Sequence, residues 1–500
     1  MSFWATPADR AGWLALFGLS FVLVLVPLAP GREVFAGVPL DKVILSVPIA
    51  ILLAIPLLTK LGSLELPRVG IEVPAFLFLG WALVSAIFTG AQPEVLATWS
   101  RYAAYIVLVY VVATVAAEKT RLRVMSWILA IAGSMTVAYS FYQYMYPTEF
   151  LGMQGMGADV ATRVFSTFGN PNFYAEYLVL LIAVTLALLF TERGPLRGLA
   201  LLFVVAQVMA LLLTYTRGSW IALAIGLAIA LLIIDSRLVL PFAIGGGSMM
   251  LLFPGVAERM ISLVALEGSA GFRLGLWRVA GDAITERPLF GIGAGRFYDA
   301  FTSAVLTNPE HNVGFLFYGA HQSYFQLAAE IGIIGGLAFA WLVFKTCRMG
   351  AFYTVRMGGD TKARLFNAAM TAGLVAFALN AFTSNAFQHP QAAVFFFVLA
   401  GMQAGNGSRF WELAPKERVT HPNRDSLWGR SLLGRAHSAI DSALTAMWKA
   451  SWISRMLAKE PLGGGRLLAD AWVIRVLIGE GAGASSDRTS RTDETLAPAK

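Results

Sequence analysis

Cysteine is almost absent: Cys347 stands alone in 500 residues. That excludes an intramolecular disulfide and any cysteine-based metal site. Charge is thin too. Asp, Glu, Lys and Arg make up 14% of the chain, where soluble domains carry roughly 25%. With 57% hydrophobic residues and a mean hydropathy of +0.66, a water-soluble fold is excluded. A cleavable signal peptide is not expected either. The first apolar run follows Arg10 without a small-residue cleavage site and leads into further runs. No internal repeat is evident.

What is present is a series of apolar runs near 20 residues long, each enough to cross a bilayer as a helix. The expected fold is an all-α integral membrane protein of about twelve transmembrane helices. The runs lie near 13–30, 43–59, 71–89, 102–117, 124–144, 174–191, 197–214, 218–234, 237–253, 320–344, 365–384 and 389–405. Residues 1–405 form the membrane domain. The loop at 254–319 is the one large piece on its side, with a short amphipathic helix ending before Pro288.

Positive charge sets the expected orientation. Lys60, Arg68, Lys119, Arg121, Arg123, Arg193, Arg197, Arg237, Lys345, Arg348, Arg356, Lys362 and Arg364 share the side of Arg10. Short loops opposite hold only Arg32, Lys42, Arg101, Arg163 and Arg217. The positive-inside rule puts both termini in the cytoplasm and 254–319 outside. The net charge of +8 then needs no nucleic-acid partner. The basic tail at 406–500 reads as partly amphipathic, with Trp448 and Trp452 on a stretch suited to the anionic inner leaflet. Its end, 483–500, has a disordered composition.

Three outer stretches concentrate polar residues: FSTFGNPNF ending at 173, TYTRGSW at 214–220, and the 254–319 loop. The loop's FGIGAGRF is not a nucleotide site, because no strand precedes it and it lies outside the cell. HQSYFQLAAEIGIIG at 321–335 follows. On a helix, His321, Phe325, Ala328, Gly332, Gly335 and Phe339 share one face. Small residues there admit a close neighbour in lipid. A histidine at the mouth of such a bundle suits a general base; the alternative is a helix-start histidine bonded to a loop.

The chain resembles the O-antigen ligase and polymerase superfamily of bacterial membrane proteins. The ligase signature is His, then Asn, Ser or Gln, nine residues, and Gly-x-x-Gly. Here it is His321, Gln322, nine residues, then Gly332 and Gly335. FGNPNF, TRGSW and the stretch with Trp277, Pro288 and Gly291 agree. The likeness spans about 165–345. Ile221 departs from a common leucine.

The resemblance implies transfer of a glycan from undecaprenyl diphosphate to an acceptor hydroxyl. The transfer would occur on the outer face of the inner membrane, without metal or cofactor. The acceptor is a lipid or other molecule for a ligase, the next lipid-linked unit for a polymerase. His321 is the expected base. Arg217, Arg273 and Arg278 are the expected diphosphate clamp, since guanidinium forks match phosphate oxygens. The structural alternatives are snorkelling for Arg217, solvation for Arg273 and an Asp282 pair for Arg278. Asn170, Asn172, Glu176, Gln322 and Glu330 are possible supporting residues. Glu330 is expected to make a structural hydrogen bond or ion pair, and Glu176 to orient an arginine. Asn170 and Asn172 equally suit turn chemistry around Pro171. His311 and His389 rank below His321. A transporter of polyprenyl-linked glycan or a small anion is the other class. Clustering of cations at the outer edge argues against midplane transport.

Overall fold

A computed structural model describes residues 7–28, 34–35, 38–39, 69–147, 163–252, 269–307, 319–357 and 360–408. The expected span at 43–59, the tail beyond 408, and His311 lie outside the described residues. The described chain is helical apart from a two-residue ladder pairing Val34–Phe35 with Val38–Pro39.

The helices are α1 (Pro7–Leu28), α2 (Glu72–Phe88), α3 (Pro93–Ala116), α4 (Lys119–Met145), α5 (Pro171–Thr191), α6 (Gly194–Leu213) and α7 (Arg217–Ile234). There follow α8 (Val239–Leu252), α9 (Ser269–Glu286), α10 (Phe297–Thr307), α11 (Ser323–Arg356), α12 (Thr361–Asn380) and α13 (Pro390–Ser408). Their starts follow capping chemistry. The Glu118 carboxylate accepts from Thr120 N at 2.7 Å and Arg121 N at 2.8 Å. Asn170 Oδ1 accepts from Asn172 N at 2.8 Å with Pro171 in the first turn. Asp360 Oδ1 accepts from Ala363 N at 3.0 Å. Each satisfies an otherwise orphaned helix-start N–H.

Among the described residues, seven helices are long and apolar enough to cross a membrane: α1, α3, α4, α5, α6, α7 and α11. α2 is apolar with 17 residues, and α8 has 14. α12 and α13 are of spanning length, with 20 and 19 residues, but carry more polar groups. The reason is their place. Both lie inside the bundle, where Gln403 Nε2 donates to Thr371 Oγ1 at 2.7 Å and Asn406 Nδ2 to Asn367 Oδ1 at 3.0 Å. A helix that meets protein instead of lipid can keep paired amides. α6 is the opposite case, with Leu196, Leu201, Leu202 and Met209 exposed.

Close packing of the inner helices depends on glycine. A Cβ on Gly226 of α7 would lie 2.3 Å from the Ala372 carbonyl oxygen of α12. One on Gly405 of α13 would lie 2.5 Å from that of Ala113 in α3. α12 packs on α5 and α7, and α13 on α3. An aromatic cluster of Phe339, Phe377, Phe387 and Phe396 fills the space between α11, α12 and α13.

The two ends of the bundle differ. At one end Lys119 meets Asp360 at 3.3 Å, and Arg123 meets Glu192 at 2.5 Å. Lys362 donates to the Thr191 carbonyl and Arg364 to that of Ile234 at this end. The other end gathers the starts of α5, α7 and α11 around the 381–389 connection.

Candidate functional site at the start of three helices

The site grows from three strained entries into helices. Ser166, Tyr215 and His321 have φ of 51°, 52° and 50°. Non-glycine residues rarely hold such angles unless their surroundings impose them. They precede α5, α7 and α11 respectively.

Arg217 is the first residue of α7. α7 is fastened to α12 just beyond it: Ser219 Oγ donates to Asn380 Oδ1 at 3.1 Å. A Cβ on Gly218 would lie 3.0 Å from Thr383 Oγ1. α11 is fastened to the same connection. Ser323 N donates to the carbonyls of Ala381 at 2.8 Å and Ser384 at 3.1 Å. Phe387 N donates to Ser323 Oγ at 3.2 Å. The connection between α12 and α13 thus holds both helix starts.

His321 stands two residues ahead of α11. Gln322 is the N-cap, its side chain accepting from Phe325 N at 2.5 Å. Arg273 comes from α9 in the loop. α9 rests on α11 through a cluster of Leu276, Val279, Ala280, Phe297, Phe301, Ala320 and Ala329. Trp277 meets Phe325 edge-on at 6.2 Å.

Arg273 lies close enough to act on His321, and Arg217 close enough to act on Arg273. Burial first, and then the positive charge of Arg273, push the His321 pKa down to about 4. Burial and then Arg217 lower that of Arg273. Desolvation and like charge both disfavour the cationic form. His321 is therefore neutral at physiological pH, beside the Arg273 guanidinium, which Arg217 in turn repels. Such a site favours an anion.

The remaining candidates fall elsewhere. Arg278 is on the exposed face of α9, about 140° around from Arg273. Asn170 is a helix cap, and Asn172 Oδ1 accepts from Arg163 at 2.9 Å. Arg163 also donates to Thr214 O at 2.7 Å and Thr216 Oγ1 at 3.0 Å, tying the start of α5 to the entry of α7. Its one sequence signal was its scarcity as an outer-side cation. Glu176 is buried beside Ser384, where an arginine was expected. Glu330 is buried and accepts from Gln326 Nε2 at 2.8 Å, the structural hydrogen bond expected of it. His389 stacks on Phe173 with ring centroids 3.7 Å apart, and its carbonyl opens α13.

The expected single face below His321 is corrected. His321 lies outside the helix, Phe325 is 44% exposed, and Phe339 is fully buried. Gly332 breaks the helix between them, with φ of 79° and ψ of 166°. The glycine-bearing turn of the loop fills the break. Ile292 N donates to Ala329 O at 3.0 Å, Gly293 N to Glu330 O at 2.8 Å, and Ile333 N to Pro288 O at 2.9 Å. A Cβ on Gly332 would lie 1.8 Å from Leu289 O, and one on Gly291 2.4 Å from Glu330 O. Gly332 of the signature therefore serves loop docking rather than helix-on-helix contact.

No curated protein matches the chain. Residues 199–340 match a family model described as O-Antigen ligase. The matched stretch runs from within α6 into α11 and includes Arg217, Arg273, His321, Gly332 and Gly335. Residues 199–340 thus match an O-antigen ligase domain, and over that stretch the O-antigen ligase superfamily is supported.

Proposed function

We propose that the protein transfers a glycan from undecaprenyl diphosphate to an acceptor hydroxyl, at the outer face of a bacterial inner membrane with both termini cytoplasmic. The family supports a ligase-like or polymerase-like membrane function on lipid-linked glycans. The observation that carries the finer reading is the meeting of Arg217, Arg273 and a neutral His321 at one end of the bundle.

The leaving group gains negative charge as the sugar C1–O bond to the diphosphate breaks. Arg217 and Arg273 hold that charge in a partly dry site, where such contacts exceed their strength in water. His321 takes the proton from the acceptor hydroxyl, whose oxygen forms the new bond to C1. Attack opposite the diphosphate inverts the anomeric centre. The low proton affinity of His321 suits the sequence of events. Bound diphosphate offsets the repulsion from Arg273 and lifts His321 toward the range where a base works best. In this reading no metal is required.

The complete His321 signature favours a ligase over a polymerase, and the edge location favours transfer over transport. The test uses purified protein in lipid nanodiscs with undecaprenyl-diphosphate-linked oligosaccharide. A ligase joins it to a separate lipid acceptor and leaves free undecaprenyl diphosphate; a polymerase lengthens the lipid-linked chain itself. Movement of intact donor across sealed vesicles, with no new glycosidic bond, overturns both.

A further inference from the structure

A file of polar groups runs from the loop to the backbone of Ala320, the neighbour of His321. The N–H groups of Gly295 and Phe297 are directed at the Glu330 carboxylate. Glu330 Oε1 accepts from Gln326 Nε2 at 2.8 Å. Gln326 Oε1 accepts from Ala320 N at 3.1 Å. Ala320 precedes His321. Glu330 is 1% exposed, Gln326 4% and Ala320 0%, so water does not compete for these bonds. Glutamine suits the middle place, since it donates at one end and accepts at the other. The chain of bonds ends one residue before His321, whose φ of 50° must be imposed from outside. It begins in the turn that α9, with Arg273, runs into. That turn is itself locked to α11 by Gly293 N on Glu330 O at 2.8 Å.

We propose that Gln326 and Glu330 are positioning residues that tie the loop carrying Arg273 to the backbone that aims His321. They fix the spacing between the cation that holds the diphosphate and the imidazole that takes the proton. This rests on the reading of His321 as the base. Neither residue touches the substrate. Loss of the link moves the imidazole off line while leaving the guanidiniums to bind the donor.

Full-length protein in nanodiscs is assayed with undecaprenyl-diphosphate-linked oligosaccharide extracted from the producing cells. The cells' own membrane lipids serve as acceptor. Gln326→Leu lowers kcat about 10- to 100-fold, the scale of a small misplacement, with KM for the donor within about two-fold of wild type. The double exchange of Gln326→Glu with Glu330→Gln restores most of that kcat. The carboxylate at 326 still accepts from Ala320 N, and the amide at 330 donates to it. Wild-type kcat in Gln326→Leu, alongside an inactive His321→Ala, removes the positioning role and leaves the base. An active His321→Ala removes both. Equal losses of kcat and folded yield in the leucine variant and the double exchange mark ordinary packing and overturn the proposal.

Discussion

His321 combines an imposed backbone angle, a crowded imidazole and a neighbouring guanidinium, and each has a separate readout. General-base loss costs about 10² to 10⁴ in rate. His321→Ala and His321→Gln should therefore lose transfer by that much while retaining donor on the purified protein. Wild-type transfer by the glutamine variant would reduce His321 to a substrate contact. The pH dependence follows from the sign of its shift. The folded pKa lies near 4, below the ordinary 6.5, so the active neutral form persists to lower pH than usual. At limiting donor, transfer should hold down to about pH 5 and fall as pH approaches the folded value. At saturating donor, the bound diphosphate raises that pKa, so the acid limb of kcat should sit at higher pH than that of kcat/KM. Identical limbs would place the diphosphate away from His321. The same shift enters stability. The unfolded chain binds this proton near 6.5, so the contribution is whole above that pH and is lost as pH falls toward 4. His321→Gln should remove that part of the acid sensitivity. For the clamp, Arg217→Ala and Arg273→Ala should each cut transfer strongly with folding intact. Lysine should rescue poorly, because it offers no fork. Arg278→Ala should do less, given its exposed place.

At the scale of the element, α11 is the departure from pattern. Gly332→Ala forces a side chain into the Leu289 carbonyl and keeps a left-handed angle. It should cost about 3 kcal/mol or more, read as a lowered melting temperature in detergent. Gly335→Ala meets the flexible end of Ile331 at 2.6 Å and should cost clearly less; equal losses would show that the break in α11 carries no special weight. Here the limits of the sequence are visible. The helix-stop at Glu286 before Pro288 was legible, and His321, Arg217 and Arg273 stood out there as candidates. The broken helix was not, because a glycine in an apolar run has the same pattern whether it packs or kinks. The rotation of His321 relative to Phe339 was lost with it. α12 and α13 were legible as apolar runs, but their interior place was not, since composition does not say which helix meets lipid. Asn172 and Glu330 were candidates from the sequence, but the bonds that Arg163 and Gln326 make to them were not legible, for another reason. Arg163 bonds to groups 51 and 53 residues along the chain, and Gln326 to the Ala320 N–H in a helix entry whose shape no residue spacing records.

For the whole molecule, the cation-rich loops collect at one end, and the Arg217, Arg273 and His321 group at the other. Orientation in the cell is testable by thiol labelling. Cys347 is a poor reporter, because it packs half-buried against the bundle core. Leu306, 80% exposed on α10, is better. Leu306→Cys in a Cys347→Ser background should react with a membrane-impermeant reagent in intact cells with an opened outer barrier. Labelling only after permeabilising the inner membrane would reverse the orientation and move the site to the cytoplasm. The break in α11 has a consequence for biogenesis. Its carbonyls at Ala329 and Glu330 accept hydrogen bonds from a loop made earlier in the chain. Inside hydrocarbon an unpaired carbonyl is costly, so during insertion α11 should first close its own ladder as a straight rod. Only after the loop has crossed and folded back can the rod open at Gly332 and admit the turn. Completion of the end that holds His321 is thus the last act of assembly, and a chain whose loop is delayed should sit fully inserted, correctly oriented and inactive.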